Sequence, residues 1–391
     1  MEKPKLVYIV SRFPFPLEKG DKLRAYYHLK ELSRSFNVTL IAISNKQIAE
    51  AHIKEINSYC QEIFTIKLSN WSILWNILYA FISNLPLQVG YFHSFRGRRK
   101  VNKILEQIQP DQIYCQLIRC AEYVKNYHSC PKTLDYMDAL SKGIERRINK
   151  VSPIFRWIFK IENKRLINYE RTIFEYFENK IIISDQDGAY ILHPDKKNIL
   201  CVPNGIDEHF FENLSIKKEF DLVFVGNLSY APNVEAVQFI VNEIMPKLPD
   251  LNCLISGANP NQVVKSFCER SPNVRLIGWV DDIRKSYQSG KIFIAPMMIG
   301  TGMQNKLLEA MASGLPCITT SLTNNAIKAK HGEEIIVANT AEEMIHQIKH
   351  LMKDQYFNEK IAQSGKSFVQ KTYTWQSTSQ ILIDCMLNKI K

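Results

Sequence analysis

The chain has 391 residues, 46% hydrophobic and 11% aromatic, which is enough apolar side chain for two buried cores and excludes a disordered or low-complexity polymer. Its net charge of +11 is uneven: residues 1–180 carry 29 Lys and Arg against 17 Asp and Glu, and the remainder 21 against 22. Nine cysteines without a CxxC pair or Cys/His metal spacing exclude a disulfide scaffold and a structural zinc site, and read as core residues of a reducing compartment.

The first ten residues, MEKPKLVYIV, lack the apolar length and cleavage site of a signal peptide and read as the start of a core strand, so a cytoplasmic chain is expected. LVYIVS (6–11) is that strand. A loop follows, then a helix from Asp21, as N-cap, to about Ser35. NVTLIAIS (37–44), EIFTIKL (62–68), QIYCQL (112–117), KTLDYM (132–137) and KIIIS (180–184) are further strands, separated by helical stretches. That alternation predicts a parallel sheet with crossover helices.

Between them, WSILWNILYAFI (71–82) is too short to span a bilayer. It reads either as a buried helix or as an interfacial one. Two Trp, one Tyr and the downstream cluster Arg96, Arg98, Arg99 and Lys100 support the interfacial reading. IFRWIFKIENKRLINYERTIF (154–174) repeats apolar and basic residues at helical spacing and is a second candidate. A basic first half suits anionic headgroups or another anionic ligand, or serves solubility. No recognition motif accompanies the charge, so nucleic acid is not expected as a partner.

A break falls at 202–219, where PNGID reads as a turn. A second series of strands follows: DLVFVG (221–226), LNCLISG (251–257), NVRLIG (273–278), KIFIAP (291–296), PCITTS (316–321) and EIIVA (334–338). The tail, Lys371–Lys391, reads as a helix. The fold class is therefore α/β, with two doubly wound, Rossmann-like parallel-sheet domains over residues 1–200 and 201–371. Such sheets bind ligands at the carboxyl ends of their strands, and the cleft between two facing domains is the expected active site.

The densest chemistry lies in APMMIGTGMQNKLLEAMASGLP (295–316). Gly300 and Gly302 flank Thr301 in a turn, a helix runs from Met303 to Ser313, and Gly314 and Pro316 end it. A helix beginning after such a turn offers free N–H groups to an anion such as a diphosphate. Lys306 and Glu309 share one face of that helix. The pair suits a cation beside phosphate and a carboxylate accepting from ribose hydroxyls, or a plain surface ion pair.

Gly226 and Asn227 end the first strand of the second domain, a position that borders the nucleotide in Rossmann folds. No basic residue follows until Lys247, which leaves charge neutralisation to Lys306, the helix N-terminus, or Arg12 and Lys22. Gly20, in the loop after the first strand, admits a phosphate or is a turn glycine. Asp138, just past a strand end, is either a catalytic carboxylate that orients or deprotonates an acceptor hydroxyl, or the N-cap of the next helix. His28 and His93 are weaker candidates. Tyr287 and Trp279 read as core or wall aromatics. The absence of an acidic metal cluster fits a diphosphate held without a metal.

Several blocks together, SRFPFPLEKGDKLRAYYHLKELS (11–33), DYMDALSKG (135–143), ISDQDGAYI (183–191), VPNGID (202–207), FVGNLSYAPNVEAVQFI (224–240), NVRLIGWVDDI (273–283) and the 295–316 stretch, resemble the family 4 glycosyltransferases, which have the GT-B fold. The resemblance implies sugar transfer from a nucleoside-diphosphate sugar to an acceptor hydroxyl, with retention and no metal or other cofactor. It implies that Gly20 faces the donor diphosphate and that the backbone of Met303, Gln304 and Asn305 reaches the sugar and phosphate. It makes PNGID an interdomain hinge, and the tail (372–391) a helix that completes the first domain. Relatives place Arg and Lys after the strand that ends here at Gly226, and this chain does not. Glu309 matches the second Glu of the family's paired-glutamate motif. The first falls at Thr301, which leaves the donor sugar open. The basic first half points to a saccharide or lipid-linked saccharide acceptor at the inner membrane face, in surface polysaccharide or glycolipid assembly. The alternatives are a sugar-nucleotide epimerase on the same fold and a nucleotide-sugar-binding pseudo-enzyme that serves as a membrane-associated assembly partner.

Overall fold

The computed structural model describes residues 2–148, 151–298 and 303–388. It divides into two units, Met1–Asn204 with Thr378–Lys391, and Gly205–Ser377.

The first unit holds a seven-stranded sheet: β1 (Lys5–Val10), β2 (Asn37–Ser44), β3 (Glu62–Lys67), β4 (Gln112–Gln116), β5 (Lys132–Asp135), β6 (Asn179–Ile182) and β7 (Leu200–Cys201), in the order β3-β2-β1-β4-β5-β6-β7. Every neighbouring pair is parallel. The order reverses between β1 and β4, so the carboxyl ends of these two strands open a crevice. Alternation along β1 shows why the strand is apolar from Leu6 to Val10. Leu6, Tyr8 and Val10 enter one core layer and Val7 and Ile9 the other, so both faces are covered. β7 has only two residues, too few to show a period.

The second unit repeats the plan with β8 (Phe220–Val225), β9 (Cys253–Ser256), β10 (Val274–Ile277), β11 (Gly290–Ala295), β12 (Cys317–Thr319) and β13 (Ile336–Val337). Its order is β10-β9-β8-β11-β12-β13, again all parallel. Its switch point lies between β8 and β11.

The chain leaves the first unit four residues past the 1–200 bound, inside the PNGID turn. Val202 still donates to Ile182 O at 2.8 Å, and Asn204 is held by Arg24, whereas Ile206 donates to Tyr373 O at 2.6 Å within the second unit. The tail is not one helix from Lys371. One helix ends at Thr372, and the last runs from Trp375 to Leu387. Leu382, Ile383 and Met386 of that last helix pack in the β1 layer of the first unit, and Gln112 Nε2 donates to Met386 O at 2.9 Å. The expected N-cap Asp21 lies inside its helix, Gly20–Leu32, where its carboxylate pairs with Arg12 instead.

At the centre of the first unit Arg24 and Asp135 form an ion pair with both side chains fully enclosed. Arg24 Nε donates to Asp135 Oδ2 at 2.7 Å, and Nη1 donates to Asn204 Oδ1 at 2.9 Å. Tyr114 donates its one hydroxyl proton to Asp135 Oδ2 at 2.7 Å, so His28 Nδ1, 2.7 Å from the same hydroxyl, is the donor in that contact. Burial and the Arg24 charge push the His28 pKa well down, which keeps the ring neutral.

Arg24→Met leaves the Asp135 carboxylate buried without its cation and is expected to destabilise the protein by about 3–5 kcal/mol in denaturant unfolding. The double variant Arg24→Met/Asp135→Leu should recover most of that loss, because no lone charge remains.

Candidate functional site

Two groups of side chains lie at the two switch points. In the second unit Gly226 follows β8, and a Cβ there would come within 2.7 Å of Asn233 Nδ2. The missing side chain is what seats Asn233. That residue is buried in the helix Ala231–Phe239 and donates to Asn227 O at 2.8 Å. Asn227 itself shapes the turn, its Oδ1 accepting from Ser229 N at 3.1 Å. The Asn233 carbonyl oxygen in turn accepts a hydrogen bond from Lys306 Nζ.

Lys306 is the second residue of the helix Asn305–Ala312. Its ammonium lies 5.1 Å from the centre of the Phe224 ring and 3.5 Å from Met297 Sδ. These surroundings desolvate it, and although Glu309 favours the charged form, its pKa falls to about 8. Glu309, one turn on, accepts from Tyr287 Oη at 2.7 Å. Burial pushes its carboxyl up, while the Tyr287 hydrogen bond and the Lys306 charge oppose the shift. Lys306 and Glu309 thus have Asn233 and Tyr287 as their hydrogen-bond partners, which is not the arrangement of a solvated surface pair. Tyr287 is fully buried, whereas Trp279 is 70% exposed.

The helix begins two residues later than expected, at Asn305, with Gln304 as N-cap and Met303 packed against the core. Gly300, Thr301 and Gly302 lie outside the described residues. Lys306, Glu309, Gly226 and Asn227 are brought into one neighbourhood. The sequence reading missed Asn233 and the role of Tyr287. Asn233 sits in the same block as Gly226, yet nothing in its spacing marks an asparagine as the partner of a lysine 73 residues away.

In the first unit a cavity of about 750 Å³ lies at the carboxyl ends of β1 and β2. Arg12, Lys19, Lys22, Lys46 and Arg119 line it against a single carboxylate, Glu18. Phe15, Tyr91 and Phe92 add aromatic surface. The walls therefore offer cations and flat apolar faces together. Arg119 reaches Gln88 Oε1 at 2.7 Å, and its environment includes Arg12, Asp21 and Asp138.

Asp138 follows Met137, whose φ of 63° lies in the left-handed region. The turn is held by Met137 N–H donating to Asp135 Oδ1 at 2.9 Å. Asp138 keeps exposed surface, but crowding around its carboxyl, with the nearby Asp187 charge, pushes the pKa up to about 6 against the pull of Arg119. The helix Leu140–Ile148 takes its N-terminal acceptor from elsewhere. Ser141 N and Oγ donate to Glu170 at 3.0 and 2.6 Å. That removes the capping role the sequence allows for Asp138.

Gly20 opens its helix without a positive φ, and a Cβ there would touch only Met137 Cε at 3.4 Å. Backbone strain therefore does not require a glycine there. His28 is buried in the Arg24 network. His93 is stacked on Tyr79 at 5.6 Å and meets Phe95 at 4.7 Å, so both histidines have structural surroundings. Among the described residues no three His, Cys, Asp or Glu side chains gather as metal ligands.

Comparison with known proteins fits this geometry. Residues 219–354, which contain the whole described second-unit site, match the family model described as glycosyl transferases group 1. An uncharacterized 44.6 kDa protein in the cps region of Klebsiella pneumoniae is 23% identical over 94% of this chain and 96% of its own length. The Escherichia coli UDP-Gal:alpha-D-GlcNAc-diphosphoundecaprenol alpha-1,3-galactosyltransferase is 25% identical, over 43% of this chain and 48% of that protein. In fold, a glycosyltransferase from Rickettsia africae superposes over 100% of both chains with a TM-score of 0.65 at 12% identity.

Gly226→Ala should force Asn233 out of its seat and cost about 1–3 kcal/mol in thermal unfolding, the usual penalty for overpacking. Gly20→Ala should be neutral or stabilise by up to about 1 kcal/mol, since its conformation suits any residue.

Proposed function

We propose that this chain, a glycosyltransferase of the group 1 family with the GT-B fold, moves a sugar from a UDP-linked donor to a saccharide acceptor in surface polysaccharide or glycolipid assembly. The reading includes retention at the anomeric carbon and no resident metal. The observation that carries it is the pairing of Lys306 with Asn233 and of Glu309 with Tyr287 at the β8 switch point, inside the matched family segment. The relatives supply the finer terms. One is named for UDP-Gal and a diphosphoundecaprenol-linked acceptor, and another lies in a cps region.

Breaking the bond between the anomeric carbon and the diphosphate leaves negative charge on the departing oxygen. A preorganised cation lowers the barrier most where little water competes with it. Lys306 fits that role. It is held by a neutral amide and flanked by a thioether and a phenyl ring, so its charge awaits an anion. Glu309 would accept from ribose hydroxyls through the oxygen not engaged by Tyr287. Gly226 and Asn227 would border the diphosphate, with the backbone of Met303, Gln304 and Asn305 near phosphate and sugar. The turn at Gly300, Thr301 and Gly302 would close over the sugar.

In the first unit, the basic, aromatic-lined cavity suits an acceptor that carries both phosphate and sugar rings. Asp138, with a pKa of about 6, is mostly ionised at neutral pH and suited to orient or deprotonate the acceptor hydroxyl.

Two tests follow from these charge states. Lys306 is protonated below about pH 8 and neutral above it. Affinity for UDP-sugar, measured by calorimetry, should therefore weaken by up to about tenfold per pH unit above that point, well below the ordinary lysine range. Lys306→Met should bind weakly with no such break, and EDTA should leave the wild-type curve unchanged. Asp138→Asn should lower turnover by about 10²–10⁴-fold while donor affinity stays the same. Wild-type turnover should fall as pH drops through about 6, where Asp138 becomes protonated. Near-normal turnover in Asp138→Asn would remove it from catalysis.

A further inference from the structure

The helix Asn70–Ile82 carries no charged residue, and none occurs between Lys67 and Arg96. Ser69 caps it, its Oγ accepting from Ser72 N at 3.1 Å. One face is committed to the protein. Ile73, Asn76 and Ala80 are buried, and a Cβ on Gly90 would lie 2.3 Å from Ala80 Cβ, so the helix Leu87–Phe92 is packed hard against this side.

The opposite face recurs at 71, 74, 75, 78 and 82, one helical stripe, and it is bare. Trp71 is 77% exposed, Trp75 68% and Ile82 83%, with Leu74 and Leu78 also exposed. The sequence allowed a buried helix here. The structure instead presents a two-sided one whose outer side is aromatic and aliphatic.

Cations gather at the C-terminal end of this stripe. Tyr79 meets Phe95 with ring centres 5.2 Å apart, and the Arg98 guanidinium lies 5.9 Å from the Phe95 ring. Those contacts bring the start of the helix Phe95–Ile108, with exposed Arg96, Arg99 and Lys100, beside the apolar face. At the same end Arg165 donates to Phe81 O at 2.9 Å and to Ala80 O at 3.3 Å. That joins the helix Pro153–Ile173, whose Lys160 and Lys164 are exposed along with Trp157.

We propose that the first unit docks on anionic lipid bilayers through the outer face of the helix Asn70–Ile82, with this helix lying in the plane of the headgroups. Thirteen residues at 1.5 Å each reach only about 20 Å, too short to cross the hydrocarbon, and no helix among the described residues meets the length and hydropathy of a span. Trp and Tyr are the side chains that settle at the headgroup level, and flanking Lys and Arg select anionic lipid. Exposed basic side chains grouped beside a bare aromatic stripe match a surface that is anionic outside and apolar beneath, which is a bilayer. The occupant follows from charge complementarity with the basic excess of residues 1–180. Ile77, on the same helix, also lines the cavity together with Leu87 and Tyr91. Docking would thus set a wall of that cavity against the lipid, a consequence that rests on the acceptor assignment above, whereas docking itself does not.

The test is co-sedimentation of the full chain with phosphatidylglycerol and phosphatidylcholine vesicles across a salt series. Wild type should sediment with phosphatidylglycerol, less as salt rises, and weakly with phosphatidylcholine. Arg96→Gln/Arg99→Gln/Lys100→Gln should bind roughly 100-fold more weakly at low salt, and the deficit should shrink at high salt. Trp71→Ser/Trp75→Ser should lose at least about tenfold at every salt concentration. Unchanged unfolding temperature and UDP affinity in both variants would show that fold and donor site are intact, which separates this test from the catalytic reading. Binding that survives both sets of substitutions overturns the proposal. So does a wild type that ignores vesicles but self-associates through Trp71 and Trp75, since the face would then belong to a second copy.

Discussion

The buried pair Arg24–Asp135 ties together the parts of the first unit that have to be in register. Arg24 comes from the first helix and Asp135 is the last residue of β5. Moving two charges out of water costs several kcal/mol per ion, so the pair persists only because nearly every lone pair and proton is matched. Tyr114 adds a donor from β4, Met137 N–H adds another, and Asn204 takes the remaining arm of the guanidinium. Each partner fixes something. The Met137 contact sets the left-handed turn that presents Asp138, and the Asn204 contact holds the last residue of the unit before the chain departs. An apolar core at this place could not specify these directions so narrowly, because dispersion contacts do not point.

The second unit solves a similar problem with a neutral group. A lysine in a dry crevice loses solvation and sheds its proton more readily. Asn233 offers Lys306 a carbonyl oxygen without a countercharge, so the cation is positioned but not cancelled. The glycine at the end of β8 makes room for that asparagine. The nearby Glu309 carboxylate accepts from Tyr287, and its charge favours the protonated form of Lys306.

Charge and apolar surface divide between the units. The second unit, nearly neutral over its length, carries the site within the family segment. The first unit holds the basic excess, an aromatic and cationic cavity, and a helix whose Trp side chains face water. Large apolar side chains in a continuous exposed stripe are costly to keep in water, and such a patch signals a surface with a use.

Much of this was legible in the chain itself. NVTLIAIS is apolar without alternation from Leu40 to Ile43 because a parallel sheet is covered on both faces, and the run spans β2 to the residue. Turn residues marked the break near PNGID, and helix spacing put Lys306 and Glu309 on one face. These are properties of short range, written in the period of hydrophobicity and in local backbone preference. The other determinants are long-range. Asn233 meets Lys306 across 73 residues, Arg24 meets Asp135 across 111, and Glu170 takes the capping role that local sequence offered to Asp138. Which face of WSILWNILYAFI turned outward was likewise open, since every position on it is apolar or small and polar. Only the packing of Ala80 against Gly90 chose a side. Local pattern decides which elements form. Partners distant in sequence, and the desolvation that their meeting imposes, decide which side chains are charged, which are exposed and which are left for a ligand.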